Sequence, residues 1–525
     1  MQLIPVKARR KGKPVIEVEV HQQLRAFLRL SASPSWPHQL TMARLVARAM
    51  RLGRSALIQT GRPLYQGQPY RVSYLVPLLM WPGPAIWVGP QEVLQQLQMV
   101  EIPQLQETLA LSWVKSVVVA DRWPHADFSG ILLTTPEQFF GDRLHPHTPG
   151  ERFPLGIPTL IDGVDDLEDW TRKQVNQCLT PKDWSDLMLA SPQHRDPIRD
   201  IQVKLTKSIF QHPPNPYECC LLTEEDREAI AQLFDYFDDY QLILPSPWQQ
   251  FSLPSSSEEH LLWADIHRST GQFTLWSGPI DIAPILSPLW ANQPVVLIGQ
   301  TLDREPNATR YCAQMGLQDL TCIQFTSSNQ DLIHLYLPDR LPLPNTPQFQ
   351  IQVLPEIQGL LSVRGNQSNL TVILVADVPL KAQIAATLAG EFGSKVQVEK
   401  TSLESHGILV CGWEFWRSHQ SILPTPGLLI IVALPIPSLE HPLVAGRVAY
   451  YKQRRLDWFR EYLLPTAIQN LKRAIAPVRP GVVALLDTRA LHRSYGKTIL
   501  TSLEPIARIN YRDLTWVRDI WEQHP

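Results

Sequence analysis

Short apolar, β-rich runs recur along the chain, each followed by a longer stretch with helical periodicity, and this alternation most restricts what the chain can fold into. The runs include "SALIQT", "PAIWVG", "SVVVAD", "GILLTT", "PTLIDG", "PVVLIGQ", "LTVILVAD", "HGILVCG", "GLLIIVALP" and "PGVVALLD". Strands that are apolar on both faces belong in parallel sheets covered by helices on each side. They form two sets, from residue 55 to about 161 and from about 294 to 487, so two α/β domains are expected. Between the sets, residues 171–240 carry no comparable run, and "TEEDREAIAQLFDYFDDY" reads as an acidic amphipathic helix, so a helical insertion is expected there. The 47 prolines cluster in stretches such as "LPDRLPLPNTPQF" (337–349), which mark ordered connectors rather than flexible linkers.

Composition narrows the function classes only a little. A chain of 525 residues holds about three or four domain-sized units. Its formal net charge of -2 excludes a globally basic nucleic-acid binder but leaves room for a local basic face. The cysteines, at 178, 219, 220, 312, 322 and 411, are irregularly spaced and include no CxxC pair, so a reducing, cytoplasmic setting is expected rather than a disulfide framework. The longest apolar run, "GLLIIVALPIP" (427–437), is short and ended by prolines, which fits a buried strand. No apolar signal core follows the basic start "MQLIPVKARRKGKPVIEVEV", and no membrane partner is expected.

The order of several motifs carries more information than any one of them. "SWPHQLTMARLVARAM" (35–50) contains Gln39 and precedes "LIQTGRPLYQGQPYRVSYLVPLL" (57–79). "VGPQEVLQQLQ" begins at Val88, "GILLTTPEQFFGDRL" at Gly130 and "PLGIPTLIDGVDDL" at Pro154. "SGPIDIAPIL" follows at Ser277, "VVLIGQTLD" at Val295 and "GWEFWRS" at Gly412. The block "LLIIVALPIPSLEHPLVAGRVAYYK" and the later "FREYLLPTAIQNLKRAIAPVRPGVVALLDTRALHRSYGKTILTSLEP" close the series. From about residue 35 to 505 the chain resembles the DinG/XPD-type superfamily 2 DNA helicases. The resemblance implies two RecA-like parallel-sheet domains of the P-loop NTPase fold with a helical insertion in the first. It places an N-terminal extension at 1–34, the first domain at 35–170, an arch-like insertion at 171–258, the first domain's return at 259–310 and the second domain at 311–525.

The same resemblance implies ATP and magnesium, yet each motif that would touch them is altered. A working phosphate loop needs backbone N–H groups around the phosphates, a lysine on the outer ones and a Ser/Thr hydroxyl on the metal. Here those places fall on Pro69, Tyr70 and Arg71. Gly61 and Gly67 permit a turn, which a plain strand-to-helix loop would also need. Where the family carries Asp-Glu-Ala-His, this chain has Asp162, Gly163, Val164 and Asp165. Asp162 remains as the magnesium ligand if ATP binds, but the glutamate that activates water is gone; Asp165 is a weak substitute, the alternative being an acidic surface turn. The family's finger helix, Gln-x-x-Gly-Arg-x-x-Arg, reads "LKRAIAPVRPG", leaving only Arg479 near a finger position. In the coupling motif Phe415 and Trp416 stay, whereas Arg417 to Gln420 carry no acid. Thus Gln39, Gly61, Gly67, Arg71 and Arg479 are the expected remnants of a nucleotide site.

No cysteine precedes Cys178, which excludes the four-cysteine iron–sulfur cluster that many relatives carry. His145 and His147 of "HPH" read as a polar loop rather than a metal site. Single-stranded DNA is a candidate partner through "YYKQRRLDWFREY" (450–462), which interleaves Lys452, Arg454 and Arg455 with Tyr451, Trp458 and Phe459. The competing reading is an amphipathic helix that packs its aromatics. Lys497 in "SYGK" is open between a structural and a phosphate-facing role. The expectation is a helicase-fold scaffold for nucleic acid or a protein partner in DNA repair or replication, with impaired hydrolysis. The alternatives are an active ATP-dependent DNA helicase and a protein-interaction module docking through its acidic insertion.

Overall fold

A computed structural model describes residues 16–30, 36–61, 70–109, 115–145, 153–251, 259–300, 302–303, 305–325, 332–364, 369–403, 406–420 and 422–511. Gly67, Pro69 and His147 lie outside them. The chain divides into two units, residues 1–175 with 281–326, and residues 176–280 with 327–525.

In the first unit seven parallel strands are ordered Thr321–Gln324, Ala56–Gln59, Val295–Gly299, Thr159–Asp162, Ala85–Val88, Ile131–Thr134 and Val117–Val119. Its five interior strands are buried along their whole length, which is why they read as continuous apolar runs. The helix Val72–Met80 is apolar nearly all round and accordingly buries every residue from Ser73 to Met80. It shares a core with the amphipathic helix Gln39–Leu52. The helix Ile16–Leu30 belongs to this core too. Although expected as an N-terminal extension, it buries Val20 and Leu24 there, and Glu17 pairs with Arg51 at 2.7 Å.

The second unit holds another seven-stranded parallel sheet, ordered Val396–Val398, Ile408–Cys411, Leu370–Leu374, Pro426–Ile431, Gly481–Leu485, Ile333–Tyr336 and Ile506–Ile509. Asp487, fully buried just beyond Gly481–Leu485, accepts from the Leu434 backbone N–H at 2.8 Å and from the Arg489 guanidinium at 2.6 Å. The "DTR" triplet therefore ties the ends of two adjacent strands together.

Two expected boundaries are corrected. Residues 259–280 do not return to the first sheet: His260–His267 and Gln272–Pro279 form a hairpin that pairs antiparallel with Cys219–Leu221 and Gln177–Leu179. The inserted segment is thus mixed, with the helices Pro181–Ala190, Arg195–Gln211 and Glu224–Asp239 sharing a core with this sheet around Trp184 and Trp248. Its other face meets the helix Pro442–Gln453, where a Cβ at Gly446 would lie 2.8 Å from Leu261. Likewise Thr321–Gln324, expected in the second domain, pairs with Ala56–Gln59 and completes the first sheet. An isolated four-residue strand gives too short a pattern to show which of two sheets receives it. Among the described residues, no helix is long and apolar enough to cross a membrane.

Candidate functional site

The strand Ala56–Gln59 leads through Thr60 and Gly61 toward the helix Val72–Met80, and Thr159–Asp162 ends close by in the same sheet. Gly61 adopts φ +67° and donates its N–H to the Gln300 carbonyl at 2.7 Å. Tyr70 and Tyr74 sit four residues apart, on one face of the incipient helix, and both are fully buried. Their hydroxyls converge on one carboxylate: Tyr74 donates to Asp162 Oδ2 at 2.7 Å and Tyr70 to Oδ1 at 3.4 Å. Burial pushes the Asp162 carboxyl up to about 6, against the lowering effects of the Arg71 charge and the Tyr74 hydrogen bond. The two phenols are held well above their ordinary range, chiefly by burial and then by the Asp162 charge.

Arg71 is buried to 1% exposure and turns toward Glu101 (Nη1 to Oε1, 2.8 Å) and Gln96 (3.2 Å). Burial alone would depress its pKa, but the surrounding Tyr74, Tyr70, Glu101 and Asp162 raise it, so the guanidinium stays charged. The result is a buried polar network of an arginine, two tyrosines, two carboxylates and Gln96, in which the Arg71 Nε alone of these groups' buried atoms is left without a hydrogen-bond partner.

Gln59, the last residue of its strand, is buried and fully employed. Its Oε1 accepts from the backbone N–H groups of Leu302 and Asp303, both at 3.0 Å, and its Nε2 donates to the carbonyls of Glu305 and Pro306. Asp165 accepts from the Gln300 N–H at 2.9 Å, and a Cβ on Gly299 would approach that carboxylate to 3.0 Å. Tyr311 donates its hydroxyl to the Val164 carbonyl at 2.7 Å. Gln59, Asp165 and Tyr311 thus tie the segments that follow three neighbouring strands to one another by side-chain hydrogen bonds.

Asp162, the carboxylate expected to hold magnesium, is buried and already engaged. Both Asp162 oxygens already accept from buried phenols. A cation could reach Asp162 only by displacing those phenols from a carboxylate with 1% exposure. Among the described residues, no group of three or more acidic, histidine or cysteine side chains could hold a metal.

The structure thus brings Asp162 and Arg71 into one network, with Gly61 and Asp165 on adjoining backbone. Gln39 is buried at the first turn of its helix. Arg479, in the second unit, donates to the carbonyls of Leu503 (2.5 Å) and Pro505 (3.3 Å), contacts that secure a turn. Tyr74, Glu101 and Gln59 carry much of the network and were missed from the sequence. The i,i+4 spacing of Tyr70 and Tyr74 was the signal that could have found Tyr74.

The basic–aromatic segment is not one continuous helix. The helix ends at Gln453, Arg455 takes φ +56°, and a π-helical turn begins at Phe459. Lys452, Arg454 and Arg455 are exposed. Lys452 lies over the Trp458 ring (5.5 Å) and Arg454 over Tyr450 (4.2 Å), while Tyr451 stacks on Tyr462 at 5.8 Å. Lys497 is exposed on the helix Gly496–Ser502.

The two parallel-sheet domains have the RecA-like fold of XPD-type helicase structures. The sequence is similar to the ATP-dependent DNA helicase YoaA of Escherichia coli, at 26% identity over 254 residues, 45% of this chain and 40% of the relative. The chain therefore spans about two fifths of that relative's length in the match. The fold matches the S. tokodaii Xpd4 structure with a TM-score of 0.60 at 13% identity, covering 90% of this chain and 100% of the other. It matches an XPD helicase structure at a TM-score of 0.56 and 12% identity, covering 91% and 100%. No family model matches the sequence.

Proposed function

We propose that this chain is a helicase-fold scaffold that holds single-stranded nucleic acid, or a protein partner, in DNA repair or replication without efficient ATP hydrolysis. The observation that carries the reading is the pair of tyrosine hydroxyls on Asp162. Hydrolysis of a phosphoanhydride needs positive charge on the transferring phosphoryl group and a base for water. The network places phenols at the carboxylate and directs the Arg71 guanidinium to Glu101.

Binding of nucleic acid is supported by Lys452, Arg454 and Arg455, exposed beside aromatic rings. Magnesium-dependent ATP turnover is measured on the purified protein with and without single-stranded DNA, beside Asp162→Ala, and DNA affinity is titrated against salt. Background turnover in both proteins with salt-dependent DNA binding is the expected result. DNA-stimulated turnover that disappears in Asp162→Ala would establish an active helicase instead. Absent DNA binding with background turnover would leave the protein-docking role, for which the acidic helix Glu224–Asp239 is the candidate face.

A further inference from the structure

Cys312 and Cys322 are the two thiols that meet. Their sulfurs lie 3.9 Å apart at the edge of the first unit's core, both half-buried. Cys312 belongs to the helix Thr309–Gln314 and Cys322 to the edge strand Thr321–Gln324.

The backbone holds them there. Gly316 turns the chain between them at φ +63°, with its carbonyl accepting from Ser287 Oγ at 3.0 Å, and the Trp290 indole N–H donates to the Met315 carbonyl at 2.8 Å. The Leu317 N–H closes on the Cys312 carbonyl at 2.8 Å, and Cys322 is in register with Leu57 on the neighbouring strand. A disulfide requires about 2.05 Å between sulfurs. Closing the gap from 3.9 Å takes less movement than a sulfur makes between two χ1 wells.

We propose that Cys312 and Cys322 are a reversible oxidation site, forming an intrachain disulfide that staples the edge strand of the first sheet to the preceding helix. The oxidant is a low-molecular-weight disulfide. The thiolate of one cysteine attacks a sulfur of the oxidant, forming a mixed disulfide and releasing one thiol. The second cysteine, as thiolate, then attacks the protein-bound sulfur and releases the second thiol. The protein loses two electrons and two protons, and the oxidant is reduced to two thiols.

An edge strand offers unpaired backbone groups and is the part of a sheet most ready to fray. Thr321–Gln324 is also the last strand of the first unit before the chain passes to the second unit at residue 327. A covalent tie across this short loop restricts opening of that strand. Burial, and then the neighbouring Cys322, push the Cys312 thiol up to about 12, and Cys322 is raised by burial as well. The reaction is therefore run at mildly alkaline pH and followed over hours.

The test treats the full chain with oxidised glutathione, counts thiols, maps linked peptides and records melting before and after reduction. The expected result is a fall from six thiols to four, one linked pair at 312–322, and a melting temperature about 5 °C higher for the unit that contains it. Reduction reverses all three. Cys322→Ser and Cys312→Ala each abolish the linkage and the shift. Six thiols persisting in the folded chain, a first linkage elsewhere, or a linkage without a thermal shift would each overturn the proposal. ATP turnover and DNA binding do not enter the readout, so the result stands apart from the proposed function.

Discussion

Asp162 is buried against two phenols, and these surroundings give its carboxylate a measurable thermodynamic signature. The folded state raises this acid from an ordinary 3.8 to about 6, so the fold binds its proton more tightly than the unfolded chain does. Its contribution to stability is fully present below about pH 3.8 and is lost as pH rises through about 6, a difference on the order of 3 kcal/mol for a fully buried group. Asp162→Asn keeps an acceptor for Tyr74 but carries no charge. Relative to wild type, it should be more stable at pH 7, and the difference between the two stability profiles should shrink as pH falls from 6 to 4, as measured by urea unfolding. A difference that stays constant over that window would show that Asp162 does not titrate there. Tyr74→Phe acts in the opposite direction. Loss of the 2.7 Å hydrogen bond leaves a buried acceptor poorly satisfied, at a cost of about 1–2 kcal/mol, and moves the carboxyl further upward, which its NMR titration would report.

At the level of elements, the strands beside the tyrosine–carboxylate network were legible because burial on both faces leaves an unmistakable run: "SALIQT", "PTLIDG" and "PVVLIGQ" are the strands Ala56–Gln59, Thr159–Asp162 and Val295–Gly299. The hairpin at 260–279 was written in a different pattern. Leu262, Ala264 and Ile266 face one core, as do Phe273 and Leu275, but buried Trp263 between Leu262 and Ala264 blurs this period-two signal, and the expectation that the stretch rejoined the first sheet outweighed it. Side-chain convergence from distant segments was not legible at all. Lys115 is the clearest case: 7% exposed, it donates to the carbonyls of Leu78, Trp81 and Gly83 and so completes the C-terminal end of the helix Val72–Met80. Lys115→Met preserves much of the apolar stem but orphans these acceptors. It should destabilise the first unit by about 2 kcal/mol, read as a lower denaturation midpoint with an unchanged slope.

At the scale of the molecule, two units with separate cores need not unfold as one. Gly316→Ala tests this from inside the first unit. The added Cβ would meet the Ala283 carbonyl oxygen at 2.4 Å and Ser287 Oγ at 2.5 Å, on backbone at φ +63°. A cost of about 3 kcal/mol lowers the first unit's melting temperature by about 8 °C. In calorimetry one transition should move while the other stays; movement of both together would mean that the units unfold cooperatively.

The second unit carries the complementary test, because its exposed basic segment was readable as a composition bias although its broken helix was not. Each phosphate neutralised on a single strand contributes about 0.7 to the slope of log K against log salt. Replacing Lys452, Arg454 and Arg455 together with alanine should weaken single-stranded DNA binding and reduce that slope by about 2, without moving either melting transition, since all three side chains are exposed. An unchanged slope would place the nucleic acid on another face. A reduced slope with intact melting would assign the binding to this segment through its charge, without any contribution from the buried tyrosine–carboxylate network in the first unit.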